Sequence, residues 1–296
     1  MSNPQIVYLN GQFLPLEQAS VSVMDRGFLF GEGVYEVIPA YGGHLLRLDE
    51  HLQRLQNSLD GARIPNPLPA DEWKRVLRHL LEKNVGEEQS VYLQVTRGVG
   101  PKRDHAFPAE VKPTVFAMIN PIPPVSRQTL EQGVSATTLD DIRWQACNIK
   151  STALLANTLL RQKALDAGCA EAILIRDGYA TEGTVSNVFA VINGRLRTPP
   201  KGPLLLPGIT RDLVLELAQE EGVDCEEAPV SEAELRNAEE IWVTSSTKEI
   251  MPVVMLDGKP VGDGKAGKVW SKMIEAYQRY KAVLRGGSPG REFGNE

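Results

Sequence analysis

Asn148-Ile149-Lys150-Ser151-Thr152-Ala153-Leu154-Leu155 is the stretch on which the reading of this chain turns. One lysine stands between an apolar residue and two small hydroxyl residues, ahead of a leucine-rich run. Ile142, Trp144 and Ile149 precede it, and Leu154, Leu155, Leu159 and Leu160 follow. Enclosure and nearby positive charge lower a lysine pKa, and an amine that sheds its proton near neutral pH is a nucleophile. Taken alone, Lys150 reads far more readily as a surface lysine at the start of a helix, predicted over 152–167 and closed by Gly168. The rest of the chain decides between the two.

Downstream, strand patterns cover 171–176 and, after the Asp177-Gly178 turn, 179–191. Glu182 sits there among small polar residues, either as a surface acid or as a partner for a ligand nitrogen. Residues 204–212 (LLLPGITRD) run into a helix reaching about Glu221, with Thr210 as its expected N-cap. A helix start with a hydroxyl is a ready anion site, though caps are commoner than such sites. The strand 240–243 ends in Thr244-Ser245-Ser246-Thr247, a polar turn or a second anion-binding arm. A last helix is expected over 264–284, and the tail beyond it is expected to be disordered.

Upstream, 6–14 reads as a hairpin about Asn10-Gly11. In the strand that follows Gly33, Val34, Glu36 and Ile38 share one face, and Tyr35 and Val37 the other. Helices are predicted over 49–61, on Leu52, Leu55 and Leu59, and over 70–84. Arg54 lies off the leucine stripe and alone reads as a solvated charge. The strand 90–97 opens into an irregular loop, 98–108, where Lys102, Arg103 and His105 are clustered. That loop is either solvated or a clamp for a carboxylate, to which a guanidinium fork is suited. After a strand at 114–119, three prolines in four positions (Pro121, Pro123, Pro124) mark a domain boundary. The reading is therefore a two-domain α+β/α-β protein: a smaller α+β domain at 1–120, a linker at 121–128, a larger domain at 129–285 and a tail at 286–296.

The totals narrow the function. The chain has 296 residues and a net charge of −6, which argues against nucleic acid as a partner. Three cysteines without a CxxC pair argue against a disulfide framework, and the four histidines lack metal-ligand spacing, so no metal is expected. No basic leader and no membrane-length apolar run are present, so a cytoplasmic location is expected. There is no GxxxxGK[ST] loop and no GxSxG elbow.

Together, DRGFLFGEGVYEVI (25–38), EHLQRL (50–55), YLQVTRG (92–98), DIRWQACNIKS (141–151), EAILIRDGYATEGTVSNVF (171–189), LLPGITRD (205–212) and WVTSSTKEI (242–250) resemble the fold-type IV pyridoxal-phosphate (PLP) enzymes. The resemblance is closest to the D-amino-acid (D-alanine) aminotransferase branch, and it runs in order across nearly all of the chain. It implies a larger domain built on a β-barrel-like sheet with helices. It also implies PLP as cofactor, amino acids and 2-oxo acids as substrates, and a homodimer. Lys150 matches the Schiff-base lysine and Glu182 the acid that pairs with the pyridine nitrogen. Arg54 matches a phosphate-binding arginine, and Ile209, Thr210 and Ser246 match the rest of the phosphate cradle. Leu206 matches the apolar residue under the ring, and Ser186 and Asn187 match supporting contacts. Tyr35, Arg103 and His105 match the carboxylate trap, in which the arginine and histidine reach in from the neighbouring subunit. The loop 98–108 is one residue longer than the D-alanine enzyme pattern, and Asp104 stands between the trap's two cations. A branched-chain L-aminotransferase and aminodeoxychorismate lyase are the alternatives within the family, an (R)-amine transaminase is a weaker one, and a non-catalytic relative is the alternative outside catalysis.

Overall fold

The computed structural model describes residues 4–123, 125 and 127–286. Apart from Gly286, the tail expected to be disordered lies outside them. The chain forms two units. The first comprises the chain through Pro123, the short segment Ile149–Ala153 and the residues from Val283; the second comprises the rest.

In the first unit, six strands form an antiparallel sheet: β1 (Ile6–Leu9), β2 (Gln12–Pro15), β3 (Gly33–Tyr41), β4 (His44–Leu45), β5 (Glu88–Thr96) and β6 (Thr114–Pro121). Their order is β2-β1-β6-β5-β3-β4. The helices are α1 (Arg26–Phe30), α2 (Leu48–Ala62) and α3 (Ala70–Lys83). Leu52, Leu55 and Leu59 of α2 and Trp73, Leu77 and Leu80 of α3 bury against Val34, Ile38, Val91 and Leu93 of the sheet. The helical spacing and the strand alternation thus deliver one common core. Two sequence expectations change here. The short helix α1 was not expected. Strand β6 runs two residues further than expected, into the first proline, because Asn120 and Pro121 still pair with Ser90 and Gln89.

The second unit holds α4 (Arg127–Gln132), β7 (Val134–Asp140), α5 (Leu155–Asp166), β8 (Glu171–Arg176), β9 (Tyr179–Gly183), β10 (Asn187–Ile192), β11 (Arg195–Thr198), α6 (Ile209–Glu220), β12 (Cys225–Glu227), α7 (Glu232–Arg236), β13 (Glu240–Ser245), β14 (Glu249–Leu256) and β15 (Lys259–Pro260). Most of α8 (Lys268–Arg285) also belongs to it. The sheet order is β12-β11-β10-β13-β14-β7-β8-β9, with β15 on β14. Five strand steps separate β10 from β9 in that order. A flat sheet would set them about 24 Å apart. Yet only residues 184–186 join them, a reach of at most about 15 Å. The sheet must curl, which gives the barrel-like form expected of the larger domain. The single strand expected over 179–191 is split for the same reason, at the turn where the curl closes.

Helix α5 starts at Leu155, not at 152, and Gly168 with φ +72° closes it as expected. Residues 150–152 are held in extended pairing with β3 and are not available to a helix. Thr210 is not the N-cap of α6. That position is Gly208, and Thr210 is the second helical residue, with no side-chain cap bond.

Candidate functional site

In the first unit the geometry centres on Lys150. Ser151 bridges to Val34, the Tyr35 amide donates to the Lys150 carbonyl at 2.9 Å, and the Thr152 amide donates to the Gly33 carbonyl at 2.9 Å. This close approach needs a glycine at 33, since a Cβ there would sit 2.9 Å from Thr152 Oγ1. From the other side, the Lys150 amide donates to Ser58 Oγ of α2 at 3.1 Å. The lysine backbone is therefore clamped between a strand and a helix. Its side chain is half-buried, with Nζ 4.3 Å from the centre of the Tyr35 ring. Tyr35 itself stacks on Tyr92 at 5.7 Å.

Arg54 is only 5% exposed, so its reading as a solvated charge does not hold. Its Nε and Nη2 donate to the two carboxylate oxygens of Glu36, each at 2.8 Å, and His51 Nδ1 lies 2.8 Å from Glu36 Oε2. All three side chains are buried. Burial pushes the Glu36 carboxyl up, but Arg54 and His51 more than offset it and hold it at about 2. Burial also holds the His51 imidazole below its usual range; Glu36 opposes this, while the nearby Arg54 and Lys150 charges add to it. Sequence reasoning does not single out Glu36 or His51. One signal was available: Glu36 shares its strand face with Val34 and Ile38, so its carboxylate points into a core.

Arg103 and His105 lie on the irregular loop after β5 and are exposed. Asp104, the acid between them, pairs with Lys102 at 2.9 Å and is fixed by the Ala106 amide. The structure sets Arg103 and His105 about Phe30 of α1, with ring distances of 5.1 and 5.3 Å.

In the second unit the centre is Glu182 of β9. Its Oε1 accepts from Arg143 Nη1, and its Oε2 accepts from the Leu206 amide at 3.0 Å and from Asn187 Nδ2 at 3.2 Å. Arg143 is itself locked by Asp141, with both carboxylate oxygens at 2.9 Å. Burial opposes the charge on Asp141, but Arg143 and Arg176 hold its carboxyl below the usual range. Arg143, in turn, is held charged against its own desolvation by Asp141 and Glu182. Hydrogen bonds to both oxygens favour the ionised form of Glu182. Asp141 and Arg143 stand within one of the family motifs, but their role there is not legible from the sequence. No local signal marks them, because Glu182 lies 39 residues along the chain from Arg143.

Ser186 Oγ donates to Glu171 at 2.9 Å, and Thr184 also donates to that buried acid. Ser186 thus braces the 184–186 turn that carries Asn187. Asn187 Nδ2 also donates to the Leu206 carbonyl at 2.9 Å. A Cβ at Gly208 would collide with Asn187 Oδ1, so the start of α6 packs directly on this asparagine. Asn187 pairs in register with Thr244 at the end of β13, just before Ser246. Ile209 and Thr210 are both buried in the first turn of α6. Thr244 Oγ1 is buried with no hydrogen-bond partner. An orphaned hydroxyl, the half-buried Ser246 and the first-turn amides of a twelve-residue helix fit a phosphate. In the second unit, a buried acid paired with Arg143 fits a protonated ring nitrogen; in the first, a clamped lysine fits an aldehyde. The residues present therefore suit PLP.

Among the described residues no cluster of His, Cys, Asp or Glu is arranged to hold a metal, and no helix is long and apolar enough to cross a membrane. Residues 33–256 match the amino-transferase class IV family. The chain is 42% identical over 272 residues to D-alanine aminotransferase of Bacillus licheniformis, covering 92% of this chain and 95% of that protein. It is 38% identical to the enzyme of the same name from Staphylococcus haemolyticus, over 93% and 97% of the two chains. Among solved structures, the branched-chain amino acid aminotransferase of Escherichia coli superposes with a TM-score of 0.88 at 28% identity, covering 98% of each chain. The branched-chain enzyme of Thermobaculum terrenum in its PLP form gives 0.84 at 25% identity, covering 97% of this chain and 96% of that one. With a family match over most of its length and relatives well above 30% identity, the chain belongs to the class IV aminotransferases.

Proposed function

We propose that this aminotransferase moves amino groups between D-amino acids of the D-alanine type and 2-oxo acids such as pyruvate and 2-oxoglutarate, using PLP. The observation that carries the reading is the placement of Lys150: its backbone is clamped by β3 and α2, and its amine stands over Tyr35. When bound, PLP supplies an aldehyde that condenses with amines and a pyridinium ring that takes up the electron pair of a deprotonated α-carbon.

The chain's own residues do the rest. Lys150 Nζ would hold the cofactor through its aldehyde group, and the same amine would take up and return a proton at the substrate α-carbon. The clamp on its backbone fixes the root of the side chain, and the Tyr35 ring lies beside its end, 4.3 Å from Nζ. Glu182, paired with Arg143, would accept a hydrogen bond from the ring nitrogen and so favour its protonated form. Arg54, the first-turn amides at Ile209 and Thr210, and Ser246 would hold the phosphate. Leu206 would support the ring. Asn187 aims Glu182, and Ser186 braces the turn beneath it. Tyr35, Arg103 and His105 receive the substrate carboxylate. Arg103 and His105 are exposed in the single chain, which suits a homodimer in which they complete the partner's site. Leu16, Val21 and Phe28 line one cavity and expose apolar surface that such a dimer would cover.

Glu182→Gln should lower kcat by about a hundredfold while leaving PLP bound, because the amide accepts a hydrogen bond but no longer carries the charge that holds the ring protonated. Absorption spectra and steady-state rates measure both effects. An unchanged kcat would remove Glu182 from its assigned role.

The overall reading is tested by the absorption spectrum of the bound cofactor on addition of D-alanine, with L-leucine in a parallel cuvette. Conversion to the amino form of the cofactor with D-alanine alone is expected. The structural likeness to branched-chain enzymes makes L-leucine the informative rival. Conversion with L-leucine alone would transfer the assignment to that branch. Conversion with neither would favour the lyase or amine branch.

A further inference from the structure

The loop that carries Arg103 and His105 has no regular structure and is exposed over most of its length. Loops of this kind are costly to order, and cations at their tips recognise ligands poorly unless something fixes the backbone. In this structure the fixing element is Arg26, the first residue of α1, which is 1% exposed. Its Nε and Nη2 form a fork on Glu32, with distances of 2.7 and 2.6 Å. The other edge of the same guanidinium faces the loop. Nη1 donates to the Asp104 carbonyl at 2.6 Å, and Nη2 reaches the His105 carbonyl at 3.4 Å.

Phe30, one turn along α1, completes the arrangement. Arg26 stands 4.7 Å from its ring centre, Arg103 stands 5.1 Å from it, and the His105 ring stands 5.3 Å from it. Two cations and an imidazole share one aromatic side chain. Glu32 also accepts from Arg97 Nε at 2.6 Å, so one carboxylate is shared by two guanidiniums. Arg97 in turn donates to the carbonyls of Ala62 and Arg63 and lies 3.6 Å over Phe107 of the loop. The stem of the loop is tied down by the Arg26 amide on the Gly98 carbonyl at 2.9 Å.

We infer that Arg26 and Phe30 are positioning residues for substrate-carboxylate recognition: Arg26 holds the backbone at Asp104 and His105, and Phe30 seats the side chains of Arg103 and His105. The inference rests on the proposed role of Arg103 and His105 in binding that carboxylate. Neither Arg26 nor Phe30 touches the substrate in this scheme. Each acts by removing freedom from the two residues that do. A small displacement of such groups weakens a geometry-dependent contact strongly.

The test uses the full-length holoenzyme and four variants, R26Q, F30L, R103A and R26Q/R103A, with D-alanine and pyruvate as substrates. R26Q and F30L should each raise KM for D-alanine by about tenfold, with kcat within about threefold and PLP content unchanged. In the R103A background, R26Q should add clearly less than it does alone, because one part of its effect passes through Arg103 and only the part through His105 remains. A KM for D-alanine unchanged in R26Q and F30L, where R103A raises it, would overturn the inference and leave the carboxylate role of Arg103 standing. A full additive effect of R26Q on R103A would also overturn it, as would loss of kcat or of PLP without a change in KM. If R103A itself leaves KM unchanged, the carboxylate reading fails and the inference fails with it. Should R26Q not fold, F30L keeps the Arg26–Glu32 pair and decides the question.

Discussion

Lys150→Ala is expected to abolish transamination, with a loss of at least about 10⁴-fold, because in the proposed mechanism one amine serves as both attachment point and proton carrier. PLP should remain associated with the variant through the phosphate and ring contacts, though no longer attached to the chain. Single-turnover rates and the spectrum of the bound cofactor report the two effects separately. The fold should be intact, since the backbone bonds of residue 150 to Tyr35 and Ser58 do not involve its side chain. Activity near the wild-type level would remove the basis of the mechanism. Partial recovery on adding a small primary amine would support the proton-transfer role specifically.

Glu36→Gln is expected to have the largest effect on stability. Removing one partner of a buried ion pair leaves the other charged and desolvated, at a cost of about 3–5 kcal/mol. Here Arg54, at 5% exposure, is the residue left behind. Urea titration measures the loss. Replacing both members with apolar residues, as in E36L/R54M, should restore part of the stability while weakening PLP binding. Stability restored together with full PLP affinity would contradict the phosphate role of Arg54.

The same cluster sets a pH dependence. Glu36 is held at about 2, below the ordinary glutamate value of 4.5. Its contribution is present in full above pH 4.5 and is lost as the pH falls towards 2, with a total of about 3 kcal/mol. His51 acts in the same direction. Its folded pKa is depressed from 6.5, so acidification below that value protonates the unfolded chain first and favours it. Acid unfolding should therefore be steep, and E36Q should flatten the part between pH 4.5 and 2. An unchanged slope in E36Q would mean that Glu36 is not the titrating group.

The sequence carried the elements whose signals are local. The leucine spacings of α2 and α3, the alternation of β3 and the glycine that ends α5 are short-range patterns, and each element formed where such a pattern stood. Lys150 and Glu182 were legible as candidates because the motifs around them are contiguous, and the family followed from the order of seven such motifs. The misses share a cause. Thr210 has the chemistry of a cap, but the chain turns one residue after Pro207, so Gly208 takes the position. Thr152 has helical neighbours, but pairing of residues 150–152 with β3 claims its backbone, and α5 begins only at Leu155.

What tertiary structure alone decided is which charges meet. Glu36 with Arg54, Arg143 with Glu182, and Arg26 with the backbone at Asp104 are pairs separated by 18, 39 and 78 residues. No spacing rule links residues so far apart. The charge state of each group also depends on burial, which a sequence does not display. Arg54 shows the difference most clearly: by spacing it lies beside the apolar stripe of α2, where a charge is normally solvated. It is instead buried because β3 places a carboxylate opposite it, and only the fold brings that strand to that helix.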